Sequence, residues 1–433
     1  MARNLQYPPS VKPGLPRLGD TPKGWSRVTF GDVLKVVERE AQLKDDDEYQ
    51  LVVARRNRGG IAPRERLLGR EILTKSQFRV HSGDFLISKR QIVHGACGIV
   101  PPDLHGSVVS NEYAVLHARN GLNLKYLEYY THSLHFQQTC FHASVGVAVE
   151  KMIFRLDEWL RHEFDLPPKR VQDYVVDVLS TWDRGIEGVQ KMIAAKRQVK
   201  LGLAQQLLTG RHRFPGFSGP DGGSRKNDLP SSWVMSLPDD WNWGYLNDVA
   251  QINPTTLPES TDPTYRFRYI DLSMVKDGAV TFPESTTEFR ESPSRARRVV
   301  SKDDILMATV RPNLQGFAHW DKDVADVVCS TGFAVIRVSG VCPGFVYQWL
   351  FSRNVSQYCD RCIAGSNYPA LNPTDVKKIC IPLPSLGEQQ QIAAVLGNVD
   401  REAVLLERKM ILLVKQRNGL LQKLLDGRIQ VTG

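Results

Sequence analysis

The feature that most constrains this chain is that it repeats itself. Val178-Leu179-Ser180-Thr181-Trp182-Asp183 matches Val395-Leu396-Gly397-Asn398-Val399-Asp400 at a shift of 217 positions. The run from Gly202 to Arg211 matches Gly419 to Arg428 at that same shift. Two separated blocks holding one register mark a duplicated unit. Fainter matches continue upstream: Trp25 with Gly31-Asp32-Val33 parallels Trp241 with Asn247-Asp248-Val249, and Gly83-Asp84-Phe85-Leu86-Ile87 parallels Asp303-Asp304-Ile305-Leu306-Met307. Ser110 with Tyr113-Ala114-Val115 likewise parallels Ser330 with Phe333-Ala334-Val335. Each unit is thus a variable block of about 140 residues followed by a better-matched block of about 45.

The better-matched blocks read as long helices. Ser385 followed by Glu388, just after Pro382 and Pro384, has the form of a capping box. From there apolar residues recur in steps of four and three: Ile392, Leu396, Val399, Ala403, Leu406, Met410, Leu413, Leu420 and Leu424, broken at Arg417. The first copy gives Val175, Leu179, Trp182, Ile186, Val189, Ile193, Leu203 and Leu207, broken at Lys196 and Lys200. Such spacing makes one narrow seam per helix, the coiled-coil pattern, and the shared register predicts that the two helices pair. Gly210 and Gly427 stand where helix ends are expected.

The variable blocks read as mixed α/β modules. Short β-prone runs such as Phe85-Leu86-Ile87-Ser88, Val108-Val109 and Tyr113-Ala114-Val115-Leu116 are separated by turn residues. Tyr126 to Tyr130 and Phe345 to Trp349 look like one helix of each module, and Asn372-Pro373 offers a turn or helix start. Basic residues cluster in both modules: Arg55, Arg56 and Arg58 with Lys89, Arg90 and Gln91 in the first, and Arg295, Arg297 and Arg298 with Arg311, Asn313 and Gln315 in the second. Arg, Asn and Gln carry the donor and acceptor geometry that fits base edges, and Arg and Lys grip phosphates. The formal charge of +9 suits a polyanion partner. These twelve residues are the candidate DNA contacts.

Other chemistry finds little support. No GxxxxGK[ST] loop, GxSxG, HExxH or Asn/Asp-Pro-Pro-aromatic motif is present, and Glu407-Arg408-Lys409 falls inside the heptad helix rather than on a strand. Seven cysteines at irregular positions argue for a reducing compartment. The Cys359/Cys362 pair and the cluster of His132, His135, Cys140 and His142 read as structural residues rather than zinc ligands. The proline-punctuated start lacks the core of a signal peptide, and no run of 18 apolar residues exists. A cytoplasmic protein with no membrane partner is expected.

A duplicated variable module is followed in each copy by a Leu-Pro-x-x-x-x-Gln helix start and a Gly-Leu-x-Gln-x-Leu-Leu-x-Gly-Arg end or close variant. The carrying residues are Ile381 to Ile392 with Gly419 to Arg428, and Leu166-Pro167-Pro168 to Gln172 with Gly202 to Arg211. In this the chain resembles the specificity subunits of type I restriction–modification enzymes. It departs from the pattern at Val171, which stands where Glu388 stands, and at Asp173 and Tyr174. The resemblance implies an α+β fold: two tandem mixed α/β target-recognition domains separated by two long antiparallel coiled-coil helices, a pseudo-twofold repeat. The expected division is an arm (1–24), a first recognition domain (25–165), a first spacer helix (166–211), a linker (212–240), a second recognition domain (241–381), a second spacer helix (382–428) and a tail (429–433). The family further implies a non-catalytic subunit that reads a bipartite site in double-stranded DNA. It would assemble with two modification and two restriction subunits, and those partners would hold S-adenosylmethionine, ATP and Mg, with no cofactor or metal in this chain. The alternatives are a specificity partner from another methylation system, or a coiled-coil scaffold without a DNA role.

Overall fold

The computed structural model describes residues 7–217, 224–225, 233, 237–276, 278–363 and 369–429, so most of the expected linker lies outside the described residues. The chain divides into two compact units, Met1–Gly188 with Met410–Gly433, and Val189–Lys409. Each contains one variable module, part of the long helix that follows it, and part of the long helix from the other repeat.

The first module contains β1 (Ser26–Thr29), β2 (Leu34–Val36), β3 (Glu48–Ala54), β4 (Ile61–Leu68), β5 (Gln77–Arg79), β6 (Phe85–Ser88), β7 (Cys97–Ile99), β8 (Val108–Ser110), β9 (Tyr113–Ala118) and β10 (Glu163–Leu166). The second contains β11 (Asn242–Tyr245), β12 (Ala250–Ile252), β13 (Arg266–Ile270), β14 (Thr287–Glu288), β15 (Ala296–Val300), β16 (Ile305–Ala308), β17 (Phe317–His319), β18 (Val327–Ser330), β19 (Phe333–Val338) and β20 (Cys380–Leu383). One sheet runs β2-β9-β6-β7 in the first module and β12-β19-β16-β17 in the second. The other runs β4-β3-β8-β5 and β14-β13-β18-β15, with β3/β8 and β13/β18 the parallel pairs. Strands β1 and β10, like β11 and β20, pair antiparallel and bring the two ends of each module together. The faint sequence repeat is therefore one topology built twice.

The strands follow from their residues. β6, apolar up to its last residue Ser88, and the wholly apolar β16 are buried at every position, each lying inside its sheet. The acid preceding each run is repeated for structural reasons. Asp84 and Asp304 are buried, accept the backbone N–H of His81 and Ser301 at 2.7 Å, and hold Arg39 and Arg337 at 2.7 Å. The short helices expected in each module are Leu124–Tyr130 and Pro343–Leu350, and Asn372 caps a third, Pro373–Lys377.

The long helices span Lys169–Leu207 and Leu386–Leu425, about 60 Å each at 1.5 Å per residue. Every residue of the expected seams is buried or half-buried. In the first unit Val175 and Leu179 share a core with Leu421, Leu424 and Leu425; in the second, Leu207, Ile392 and Leu396 join the module core. The breaks in the seams are filled by ion pairs between the helices. Arg417 is buried and meets Asp183 at 3.0 Å, while Lys196 and Lys200 meet Glu402 at 2.6 Å and Asp400 at 2.7 Å. Position rises on one helix as it falls on the other, so the pairing is antiparallel. Gly210 and Gly427 end the helices with φ of +68° and +65°, each packed on a proline and tryptophan that open a module, Pro238 and Trp241 or Pro22 and Trp25. A side chain at either glycine meets both the disfavoured left-handed backbone and that proline.

The helix starts differ from expectation in one respect. Ser385 Oγ accepts the N–H of Glu388, but the Glu388 carboxylate turns away to receive Arg213 at 2.5 Å and the indole N–H of Trp241 at 3.1 Å, so half of the capping box is present. The motif glutamines explain themselves more fully. Gln172 and Gln389 are both buried, donate at 2.9 Å to the carbonyls of Pro167 and Pro384, and accept backbone N–H groups from Asn123 and Cys342 at the mouth of a module helix. Each glutamine fastens a long helix to the module before it.

His132 and His135 are two groups that burial makes pH-sensitive. Desolvation lowers both to about 4, and His135 Nδ1 lies 3.0 Å from the Tyr130 hydroxyl. Both values lie below the unfolded value of about 6.5, so their contribution to stability is full above that pH and is lost as pH falls toward 4. Replacing both, His132→Asn with His135→Gln, is expected to flatten the pH dependence of thermal unfolding between pH 6.5 and 4. An unchanged slope would rule the pair out as the source.

Candidate nucleic-acid interface

The loop after β6 and the loop after β16 are the same loop. Residues 89–96 and 309–316 join equivalent strands with equal lengths, and each contains one 3-10 turn, Ile92–His94 or Pro312–Leu314. Lys89, Arg90 and Gln91 thus stand opposite Thr309, Val310 and Arg311, at the same offset of 220 positions that relates Asp84 to Asp304.

In the first module this loop meets the tip between β3 and β4. The backbone N–H groups of Asn57 and Arg58 donate to the carbonyls of His94 and Gly95 at 2.8 and 2.9 Å. Arg56 is exposed, donates to Gln91 Oε1 at 2.8 Å and pairs with Glu150 at 2.7 Å. Lys89 reaches the carbonyl of Asn111 at 2.9 Å, and Arg90 pairs with Glu112 at 2.9 Å. Arg55 is exposed at the tip. Arg58 is different: it is half-buried, its Nε donates to the carbonyl of Thr131 at 2.9 Å, and burial lowers its pKa. Five of the six candidates therefore gather at one edge, and the sixth, Arg58, turns inward to brace the tip.

In the second module Arg311 and Asn313 are exposed and Gln315 is half-buried, all on the loop after β16. Arg295 is exposed beside it: its backbone carbonyl accepts from Thr331, Gly332 next door accepts from Thr309, and its guanidinium lies 3.0 Å from Asp271. Asp271 sits below the usual carboxylate range, chiefly through the N–H and then the hydroxyl of Ser273, with Arg295 adding to both. Arg297 stacks on Phe289 with its guanidinium 4.5 Å from the ring centroid. Arg298 shares the sheet's inner face with Ile270 and Cys329; burial lowers its pKa, and its buried Nε has no hydrogen-bond partner among the described residues. The second set therefore splits between Arg295 with the loop and two arginines committed to packing.

Sequence reasoning passed over the acids that hold these cations, Glu112, Glu150 and Asp271. Exposed pairs of this kind are worth about 0–1 kcal/mol, so a phosphate can replace the carboxylate at little cost. It also passed over a cavity of about 760 Å³ under the second loop, lined by Leu272, Val275, Val310, Arg311 and Leu314 among others. The register that aligned Asp84 with Asp304 would have drawn attention to Leu314, which stands opposite His94.

Two copies of one α+β module with a polar, arginine-bearing loop at the same place, built on a pair of heptad helices, define a class of tandem-repeat scaffolds. Residues 238–416 match the model of the type I restriction modification DNA specificity domain. Over 431 residues the chain is 22% identical to the MjaVIII specificity subunit of Methanocaldococcus jannaschii, covering 95% of this chain and 94% of that one. A shorter match, 28% identical over 116 residues, covers 26% of this chain and 25% of the HindI specificity subunit of Haemophilus influenzae. In fold it resembles the S subunit of a type I restriction–modification system from M. genitalium, with a TM-score of 0.55 at 14% identity over 95% of this chain and 99% of that one. It also resembles a chain from a structure of type I system assembly and conformational transition, with a TM-score of 0.56 at 18% identity over 95% and 98%. The chain is thus similar to the specificity subunits of type I restriction–modification systems, by a specificity-domain match in its second half and by full-length likeness to the MjaVIII subunit.

Proposed function

We propose that each module reads one half of a bipartite double-stranded DNA target, and that the paired helices set the half-site spacing and dock the modification subunits. The observation that carries this is the loop shared by both modules, which presents Lys89, Arg90 and Gln91 in one and Arg311, Asn313 and Gln315 in the other. Such side chains reach base edges and phosphates, and two similar readers on a stiff spacer suit two half-sites. Docking is supported by apolar side chains left exposed on the long helices, Met192, Val199 and Leu201 on the first and Leu405, Ile411 and Leu412 on the second. In this reading the chain does no chemistry itself. S-adenosylmethionine, ATP and Mg belong to the modification and restriction subunits.

Exchange of residues 25–165 for the corresponding block of another family member tests the division of labour. Methylome sequencing of a host expressing the complex is expected to show a new first half-site and an unchanged second one. A change in both halves would sink the modular reading.

A further inference from the structure

The two matching loops differ in what their turns do with the fifth and sixth side chains. In the first module Ile92, Val93 and His94 are all buried, and His94 is held by Ser10 at 2.9 Å and lies 3.2 Å from Glu150. At the same place in the second module Asn313 is exposed and Leu314 is 70% exposed, on the rim of the cavity under the loop. The backbone is bent to keep it there. Arg311 and Gln315 flank the turn with φ of +51° and +49°, whereas the first module has Gln91 at −125° and glycine at position 95, with φ of +77°. Left-handed backbone at two non-glycine residues is unfavourable; here it is held by the N–H groups of Arg311 and Gln315 on the carbonyls of Pro369 and Pro312, and such positions cluster at functional sites.

We propose that Leu314 is a specificity-determining residue, which reads the 5-methyl group of a thymine in the half-site bound by the second module. The inference rests on the proposed DNA reading and adds to it one side chain and one functional group. Arg311 and Asn313, exposed on the same turn, and Gln315 beside it carry the donors and acceptors that match base edges, so an apolar tip among them meets the one apolar group the major groove offers. Val310, also partly exposed, lines the same cavity and extends the apolar surface around that methyl. The first module, with His94 buried, reads its half-site without this contact.

The test uses the full complex with its modification subunits, after the half-site of the second module has been mapped. Each thymine of that half-site is replaced in turn by deoxyuridine, which removes only the methyl group. Wild-type affinity is expected to fall at one position by roughly fourfold, the worth of one buried methyl group. Leu314→Ala is expected to bind the thymine and deoxyuridine duplexes equally while still assembling with the modification subunits, which a misfolded variant would not do. Leu314→Met is expected to retain the discrimination. Equal binding of every thymine and deoxyuridine pair by wild type, discrimination that survives Leu314→Ala, or a half-site without A·T pairs overturns the proposal while leaving the DNA reading intact. Loss of modification-subunit assembly in Leu314→Ala also overturns it, by making the leucine a protein contact. A wild-type complex that shows no sequence preference sinks the DNA reading itself.

Discussion

Glu388→Ala is expected to destabilise the second compact unit by about 3–5 kcal/mol, the usual cost of removing one partner from a buried ion pair. The carboxylate is 1% exposed and receives Arg213 and the Trp241 indole; Arg213 in turn holds Asp240 at 2.8 Å. Asp240 is held below the usual carboxylate range, first by its hydrogen bond from Arg213. The first repeat shows how the fold manages without this cluster. Val171 stands for Glu388, Gly24 for Asp240, and Gln430 lies 217 positions after Arg213. All three charges are absent together, which gives the departure at Val171 a physical meaning: a whole charge cluster, rather than one helix cap, distinguishes the repeats. Arg213→Gln with Glu388→Val, which copies the first repeat at two of its three positions and leaves only the half-exposed Asp240, is therefore expected to be more stable than Glu388→Ala by about 1–2 kcal/mol. It remains below wild type, because the buried Trp241 N–H loses its acceptor at about 1–3 kcal/mol. Denaturant unfolding of the three proteins measures both differences. A double variant no more stable than the single one would refute the charge-cluster account.

The duplication, the heptad helices and their glycine ends were legible because they rest on repeated residues with fixed spacing. Val175 and Leu424 declare a seam by period alone, and Gly210 and Gly427 declare an end by occurring twice. What was not legible depends on which side chain turns inward. Arg58 and Arg311 look alike in a sequence, yet one donates to a buried carbonyl and the other faces solvent. Arg295, Arg297 and Arg298 are neighbours whose directions diverge where β15 slips register against β18 between residues 296 and 298. Arg417, Lys196 and Lys200 read as defects in the seam because one helix does not show the acid facing each of them on the other. Ion pairs between distant segments leave no local period, so they stay hidden until the chain is folded.

Adding seven residues to each long helix, after Gly188 and after Lys409, is expected to move the preferred gap between half-sites to a value about 3 base pairs longer. Seven residues lengthen a helix by about 10 Å, and base pairs rise about 3.4 Å each. A heptad is the right increment because it returns Ile186, Val189, Leu406 and Met410 to the same side of the helix; four or five residues would carry part of the seam into solvent. The added gap also turns the DNA by about 100°, at 10–10.5 base pairs per turn, while a heptad restores the facing of the helix. That rotation must be absorbed by bending at the joints between modules and helices or by twisting the DNA, so the longer site is expected to be methylated more weakly than the original. Both half-site sequences are expected to stay the same, since neither the loop after β6 nor the loop after β16 is touched. Methylation mapped over targets with graded gaps separates the outcomes. A maximum that moves outward with unchanged half-sites supports helices that measure distance, whereas a maximum at the original gap means that something other than their length sets the spacing.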